Sequence, residues 1–400
     1  MNKAGLLLFV LLAGIFLLGS KAQTEFLGGI GVMPFMKFCK YFGYPVEQHF
    51  ITTEDGYILT FFRIQAKHQT QMKSGLPVVY LQHGLLDSSD TWIVNDEDKA
   101  PGFVLANKGY DVWLGNSRGN KHSRNHTYLK TNSPQFWQFS WQNMSKYDLP
   151  AAFEYIFKHT QQKINYIGHS QGSIIMFAAL SEQDPTILKY INKFLAVGPV
   201  AWVGNITSGV FEWMARSKYF APFLEALRVK KFMEPNLFLN EFSFELCHYS
   251  KFVCKELIGM LTNTHPEVDN SARFDVILGH EPGGTSLWNM LHWRHEILND
   301  CFCKFDYGEA GNMFHYGQPT PPNYDISKIN IPVYLFAGEY DKLADPVDVE
   351  YLKSQLTGVP KLYYKSYEFG HCTFVWGKNV TAFFNDMLNV LQGEESVISI

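Results

Sequence analysis

Short, densely apolar runs recur along the chain, and most of them end in Gly, Asn or Asp. "LPVVYLQHG", "YDVWLGNSRG", "INYIGHS", "INKFLAVGPV", "IPVYLFAGEYD" and "KLYYKSYEFGH" are short and rich in β-branched and aromatic residues. Such runs predict strands buried on both faces. Segments with helical spacing lie between them. "YDLPAAFEYIFKHT" carries Pro150 near its start, and "TAFFNDMLNVLQG" closes on Gly393, which suits a first helical turn and a C-cap. Strands alternating with helices predict an α/β fold, a mostly parallel central sheet with helices on both faces.

The alternation fails once. Between Trp202 and Asn270 the strand–helix–strand order gives way to helical segments rich in aromatic residues. Phe220, Phe223, Leu224 and Leu227 fall at i, i+3, i+4 and i+7, which makes one apolar helical face. Phe211, Trp213, Met214, Phe232, Met233, Leu237, Phe238 and Leu239 add to the apolar load. Composition alone suits a helical subdomain with its own core. The position between two sheet strands predicts a cap over 202–270, dividing a core of residues 23–201 and 271–400.

The chain has 400 residues, 46% hydrophobic and 18% charged, with a formal net charge of −4. That composition supports a large core and excludes disorder. No basic stripe is present, so nucleic acid is not an expected partner. The opening "MNKAGLLLFVLLAGIFLLGSKAQ" has Lys3, an apolar run from Gly5 to Leu18 and a small-x-small ending at Ala22. This predicts a secretory signal peptide over 1–22, too short to span a bilayer comfortably. In that compartment Asn125, Asn143, Asn205 and Asn379, each opening an Asn-x-Ser/Thr triplet, become glycan candidates. Cys247 and Cys254 stand seven apart and could bridge. Cys39, Cys301, Cys303 and Cys372 show no evident pairing, and no CxxC spacing points to a metal.

The chemistry concentrates in "INYIGHSQGSIIMF". Gly168-His169-Ser170-Gln171-Gly172 sits where an apolar strand hands over to a helix, the context a Gly-x-Ser-x-Gly nucleophile elbow demands. Glycines allow the tight turn, Ser170 becomes the candidate nucleophile, and the Gln171 N–H faces the site of a developing oxyanion. A serine needs a base and a group to orient that base. Asp341 follows the strand "IPVYLFAGEYD" and His371 follows "KLYYKSYEFGH", so both emerge at the sheet edge that bears Ser170. Asp345 and Asp348 compete with Asp341, which comes first after its strand. "YLQHGLLDSS" supplies a second turn, His83-Gly84, with the Leu85 N–H as the other candidate oxyanion donor.

These blocks resemble the acid lipase family, which includes gastric lipase and lysosomal acid lipase. "YPVEQHFITTEDGYILTFFRI", "LQHGLLDSS", "GYDVWLGNSRGN", "KYDLPAAFEYI", "YIGHSQGS", "GGTSLWNMLHW", "FHYGQPTPPNYD" and "DKLAD" carry the resemblance across nearly the whole chain beyond the signal peptide. It implies an α/β-hydrolase fold, Ser170 as nucleophile, Asp341 as acid, His371 as base, and an oxyanion hole at Leu85 and Gln171. It also implies a cap with a mobile lid, transient contact with a lipid–water interface, and triacylglycerols or sterol esters as substrates, in an extracellular or lysosomal setting. The implied ester hydrolysis requires no metal or organic cofactor. The chain departs from the family at Ser173, where threonine is usual, and after His371, where an apolar residue and an aspartate are common and Cys372-Thr373 stand here. The competing readings are an esterase or acyltransferase using the same triad, and an inactive lipid-binding protein on the same scaffold.

Overall fold

A computed structural model describes residues 29–227, 229–233 and 237–394; the signal peptide expected over 1–22 lies outside them. The main sheet contains β1 (Val46–Thr52), β2 (Tyr57–Ile64), β3 (Val78–Gln82), β4 (Asp111–Leu114), β5 (Asn125–His126), β6 (Ile164–His169) and β7 (Ile191–Val197). A two-stranded ribbon follows, formed by β8 (Lys231–Phe232) and β9 (Thr285–Ser286), before β10 (Val333–Gly338) and β11 (Leu362–Tyr367) complete the main sheet. Its order is β1-β2-β4-β3-β6-β7-β10-β11, with β5 beside β2. From β4 to β11 every pairing is parallel. Each apolar run named from the sequence becomes a strand in this parallel portion.

Alternation along the central strands fills both sides of the sheet. In β3, Val78 and Tyr80 join one core, while Val79 and Leu81 join the other, as a period of two requires. The β1–β2 antiparallel hairpin escapes the search for buried runs because β1 has only one buried residue, Ile51. The two helices expected from sequence form at Leu149–Thr160 and Thr381–Gln392, the latter ending on Gly393 at φ 78°. Helix Gln171–Ser181 is buried on every side, which is why it lacks an amphipathic pattern.

Between Val197 and Val333 the chain leaves the sheet. Helices Gly209–Arg216, Phe220–Ala226, Leu237–Tyr249, Lys251–Thr262, Phe274–His280, Leu287–Asn299 and Gly308–Tyr316 occupy this interval. The inserted helices therefore run well past residue 270. The apolar face expected from Phe220, Phe223, Leu224 and Leu227 divides in two. Leu224 is buried, whereas Phe223 and Leu227 are 52% and 59% exposed. Cys247 and Cys254 are joined by a disulfide that links two of the inserted helices. No helix among the described residues is long and apolar enough to cross a membrane.

Candidate active site

β6 ends at His169 and the following helix begins at Gln171, so Ser170 alone makes the turn. Its φ is 54°, a conformation that a non-glycine residue holds only when its surroundings enforce it. The flanking glycines follow from crowding. A Cβ at Gly168 would lie 2.4 Å from the Gly172 carbonyl oxygen, and one at Gly172 would lie 2.4 Å from that of Gln82. The Ser173 hydroxyl donates to the Ser170 carbonyl at 2.6 Å and accepts from the Val200 N–H at 2.9 Å. A hydroxyl is thus retained where the family usually has threonine.

His371 and Asp341 meet at the same edge. Nδ1 of His371 lies 2.8 Å from Oδ2 of Asp341, and both side chains are buried. Oδ1 of Asp341 also accepts the N–H groups of Leu343 and Ala344 at 2.8 Å. The carboxylate is therefore fixed before it meets the imidazole. The rival acids are engaged elsewhere: Asp345 caps helix Pro346–Gln355, and Asp348 holds Asn205. Nε2 of His371 is buried and makes no hydrogen bond among the described residues. The His371 carbonyl is 2.8 Å from Nε2 of His169, the residue just before Ser170. Burial, reinforced by the nearby His371, pushes the His169 pKa down to about 3. His169 is therefore neutral and donates its Nε2–H to that carbonyl.

The Gly84–Leu85 turn closes on the elbow from the other side. A Cβ on Gly84 would stand 3.1 Å from Cβ of Ser170. The backbone N–H groups of Leu85 and Gln171 are not taken up by hydrogen bonds among the described residues. His83, its pKa lowered to about 4 by burial, donates Nδ1–H to the Gly84 carbonyl and accepts the Ser117 N–H at Nε2. Leu86 follows with φ 63°. Two free amide donors beside a serine on a tight turn suit the stabilisation of an oxyanion.

Other supports were not evident from sequence. The Gln171 side-chain carbonyl accepts from Asn289 at 2.7 Å and Trp293 at 2.9 Å. Those residues stand four apart on helix Leu287–Asn299, which ties the insertion to the elbow. Their i, i+4 spacing inside "GGTSLWNMLHW" was the available signal. The glycan candidates differ in setting. Asn125 and Asn379 are exposed. The Asn143 side chain closes a capping box, and Asn205 donates to Asp348. Cys301 and Cys303, whose pairing is not evident from the sequence, are bonded to each other. A ring nitrogen of His295 lies within 4.8 Å of both sulfurs, a Cys/His grouping not evident from the sequence, and the disulfide takes up the two thiols. Cys39 and Cys372 are free and buried.

Comparison with known proteins places this geometry in a family. A model of the partial alpha/beta-hydrolase lipase region matches residues 35–96, and a model of the alpha/beta hydrolase fold matches residues 77–378. Gastric triacylglycerol lipase of Bos taurus is 39% identical, covering 88% of this chain and 89% of its own. The chain belongs to the acid lipase family of α/β hydrolases. Lysosomal acid lipase/cholesteryl ester hydrolase of Homo sapiens is 38% identical over the same shares. Among solved structures, a soluble variant of monoglyceride lipase from Saccharomyces cerevisiae aligns over 94% of this acid-lipase-family chain and 98% of its own, with a TM-score of 0.56 and 14% identity. That likeness establishes the fold.

Proposed function

We propose that this protein is a secreted or lysosomal serine lipase that hydrolyses carboxylic esters of neutral lipids, triacylglycerols or cholesteryl esters. The observation that carries the reading is the Asp341–His371 pair, set beside the Ser170 elbow, with the Leu85 and Gln171 N–H groups making no hydrogen bond among the described residues. In the proposed cycle His371, oriented by Asp341, takes the Ser170 proton as Ser170 Oγ attacks the ester carbonyl. The two amides hold the oxyanion. The alcohol leaves with a proton from His371. Water activated by His371 then releases the fatty acid and restores the serine.

The insertion supports lipid as the substrate class. An apolar cavity lies among Met214, Ala215, Phe220, Leu224, Met290 and Trp293. Trp293, in its wall, also bonds Gln171, next to Ser170, which links the apolar interior of the insertion to the elbow. The insertion also leaves Trp213, Phe223, Leu227, Phe242 and Phe252 each at least 45% exposed. Several large apolar side chains turned to solvent on one insertion favour transient docking at a lipid–water interface. The relatives' names, gastric and lysosomal, support export into the secretory pathway.

The test is hydrolysis of emulsified triolein and cholesteryl oleate by the wild type and by Ser170→Ala. Release of fatty acid that Ser170→Ala abolishes supports the reading, and the ratio of rates identifies the preferred ester. Turnover of short soluble esters alone indicates an esterase, and acyl transfer to an added alcohol indicates an acyltransferase. A wild type that a serine-directed phosphonate fails to label points to a non-catalytic lipid binder.

A further inference from the structure

The turn that carries the Leu85 amide is not held by the hydrolase core alone. The Leu86 carbonyl accepts the Gly283 N–H at 2.6 Å, and the Gly283 carbonyl accepts the Lys121 N–H at 2.8 Å. The fit is tight: a Cβ on Gly283 would lie 2.3 Å from the Asp87 carbonyl oxygen. Gly283 belongs to the inserted segment, since it follows helix Phe274–His280. Side chains accompany this backbone contact. Asp87 Oδ1 accepts the Ser88 N–H at 2.6 Å, and Ser88 Oγ donates to Glu281 Oε1 at 3.2 Å. Glu281 and Asp87 are both buried, and their carboxyls lie within hydrogen-bonding reach of each other. Among the described residues no donor reaches Glu281 Oε2.

Facing carboxyl groups attract only when a proton lies between them. We propose that Asp87 and Glu281 share one proton and act as positioning residues, clamping the inserted segment to the oxyanion turn so that the Leu85 amide is aimed only while that proton is present. The proposal rests on the lipase reading above for what the turn does.

Burial, set against the charge of Lys121, favours a shared proton over double ionisation. Lys121 is the nearest permanent cation, but its Nζ is already bonded to Asp90 at 2.7 Å and to the His280 carbonyl. His122 and His280 also approach Asp90, each at 2.7 Å, and Arg124 lines the cavity behind them. The neighbouring Cys372 thiol is held neutral by burial. Lys121 and these histidines bond Asp90, and no cation forms a salt bridge to the pair among the described residues; the Lys121 charge still pulls both carboxyls down, against the larger effect of burial. Burial raises both carboxyls, and the adjacent Asp87 charge raises Glu281 further, so the pair takes up its proton as a unit. A group whose folded pKa is raised contributes stability at low pH and loses it as pH rises through the folded value. The clamp is therefore firm in acid and loosens toward alkaline pH. Leu86, held at φ 63° next to the donor, is the residue that relaxes when it does.

Glu281→Gln tests this, because the amide keeps the Ser88 contact and donates to Asp87 without titrating. The expected result is an alkaline limb of kcat moved upward by about one pH unit or more, with KM little changed. Glu281→Ala should lower kcat across the whole range, and the glutamine variant should restore it. Asp87→Asn repeats the test if Glu281→Gln fails to fold. Thermal unfolding of Ser170→Ala with and without Glu281→Gln requires no turnover. Its fall in Tm with rising pH should flatten in the double variant. Superimposable alkaline limbs and parallel Tm curves would overturn the clamp. A wild type without ester hydrolysis would refute the lipase reading while leaving the Tm comparison to decide the shared proton.

Discussion

Thr373 Oγ1 lies 2.5 Å from Oδ1 of Asp269, and this contact fastens the turn bearing His371 to the inserted helices. The same hydroxyl accepts the Gly370 N–H at 3.0 Å, Asn263 donates to the other Asp269 oxygen at 3.1 Å, and the His371 N–H donates to the Thr262 carbonyl. The acid lipase family commonly has an aspartate where Thr373 stands. Here the carboxyl comes from Asp269 and meets a hydroxyl at that position. Thr373→Val leaves a buried carboxyl and a buried N–H short of partners, and is expected to cost about 1–3 kcal/mol in unfolding free energy. It should also lower kcat more than it raises KM, because His371 shares the turn. Denaturant unfolding and steady-state kinetics on one preparation check both effects.

Asp269 also carries a pH signature. Burial pushes its carboxyl up to about 6, against the hydrogen bonds from Thr373 and Asn263 that lower it. The folded protein therefore holds a proton that the unfolded chain has released, from the ordinary carboxylate range up to about pH 6. Stability from this group is complete below that window and falls as pH rises through it. Asp269→Asn removes the titration. Its Tm, measured relative to the wild type, should improve between about pH 4 and pH 7. A constant difference across that interval would show that Asp269 does not titrate there.

Asp341→Asn separates geometry from charge at the other side of His371. The amide oxygen can still accept the Leu343 and Ala344 N–H groups, so the loop should keep its shape. It cannot stabilise a protonated imidazole and permits the wrong tautomer, an effect worth about 10⁴-fold in kcat in a serine protease. A loss of about 10³–10⁴-fold with an unchanged Tm is expected. A loss of less than about tenfold would mean that Asp341 does not orient the base.

The parallel sheet and the strand-end residues were legible because their signals are local. β6 and β10 are continuous apolar runs, and Ser170 and Asp341 stand one and three residues beyond them. β1 was not legible as a buried run, because an outer antiparallel strand exposes one side. The extent of the insertion was hidden for a different reason. Helix Leu287–Asn299 reads from sequence like any core helix, and only its bonds to Gln171 place it over the elbow. Asp87 and Glu281 are separated by nearly half the chain, and nothing local to either marks the other. Contacts of this kind depend on the closed fold and leave no periodic trace.

Gly84 provides a steric test of the proposed oxyanion turn. A methyl group there would stand 3.1 Å from Ser170 Cβ, 3.3 Å from His169 Nδ1 and 3.6 Å from Ser170 Oγ. The overlap is a few tenths of an ångström, which a small shift of the turn absorbs, so the fold should tolerate Gly84→Ala while the ester carbonyl is kept from the amide donors. Loss of one such donor typically costs about 10²–10³-fold in turnover. Gly84→Ala should reach that range with a cooperative unfolding transition intact. Full activity in this variant would place the oxyanion elsewhere.

The apolar cavity should set chain length independently of the chemistry. Ala215 is 3% exposed on helix Gly209–Arg216 and lines the cavity opposite Met290 and Trp293. Ala215→Phe fills the space without touching Ser170, Asp341 or His371, at an overpacking cost of about 1–3 kcal/mol. Met290→Ala does the reverse. Long acyl chains should lose kcat/KM in the first variant relative to short soluble esters, by about tenfold for each 1.4 kcal/mol of lost contact. The second variant should shift preference toward bulkier acyl groups. Because both chain lengths share one elbow and one pair of amides, equal losses on the two esters would signify general damage to the insertion and remove the cavity from acyl recognition.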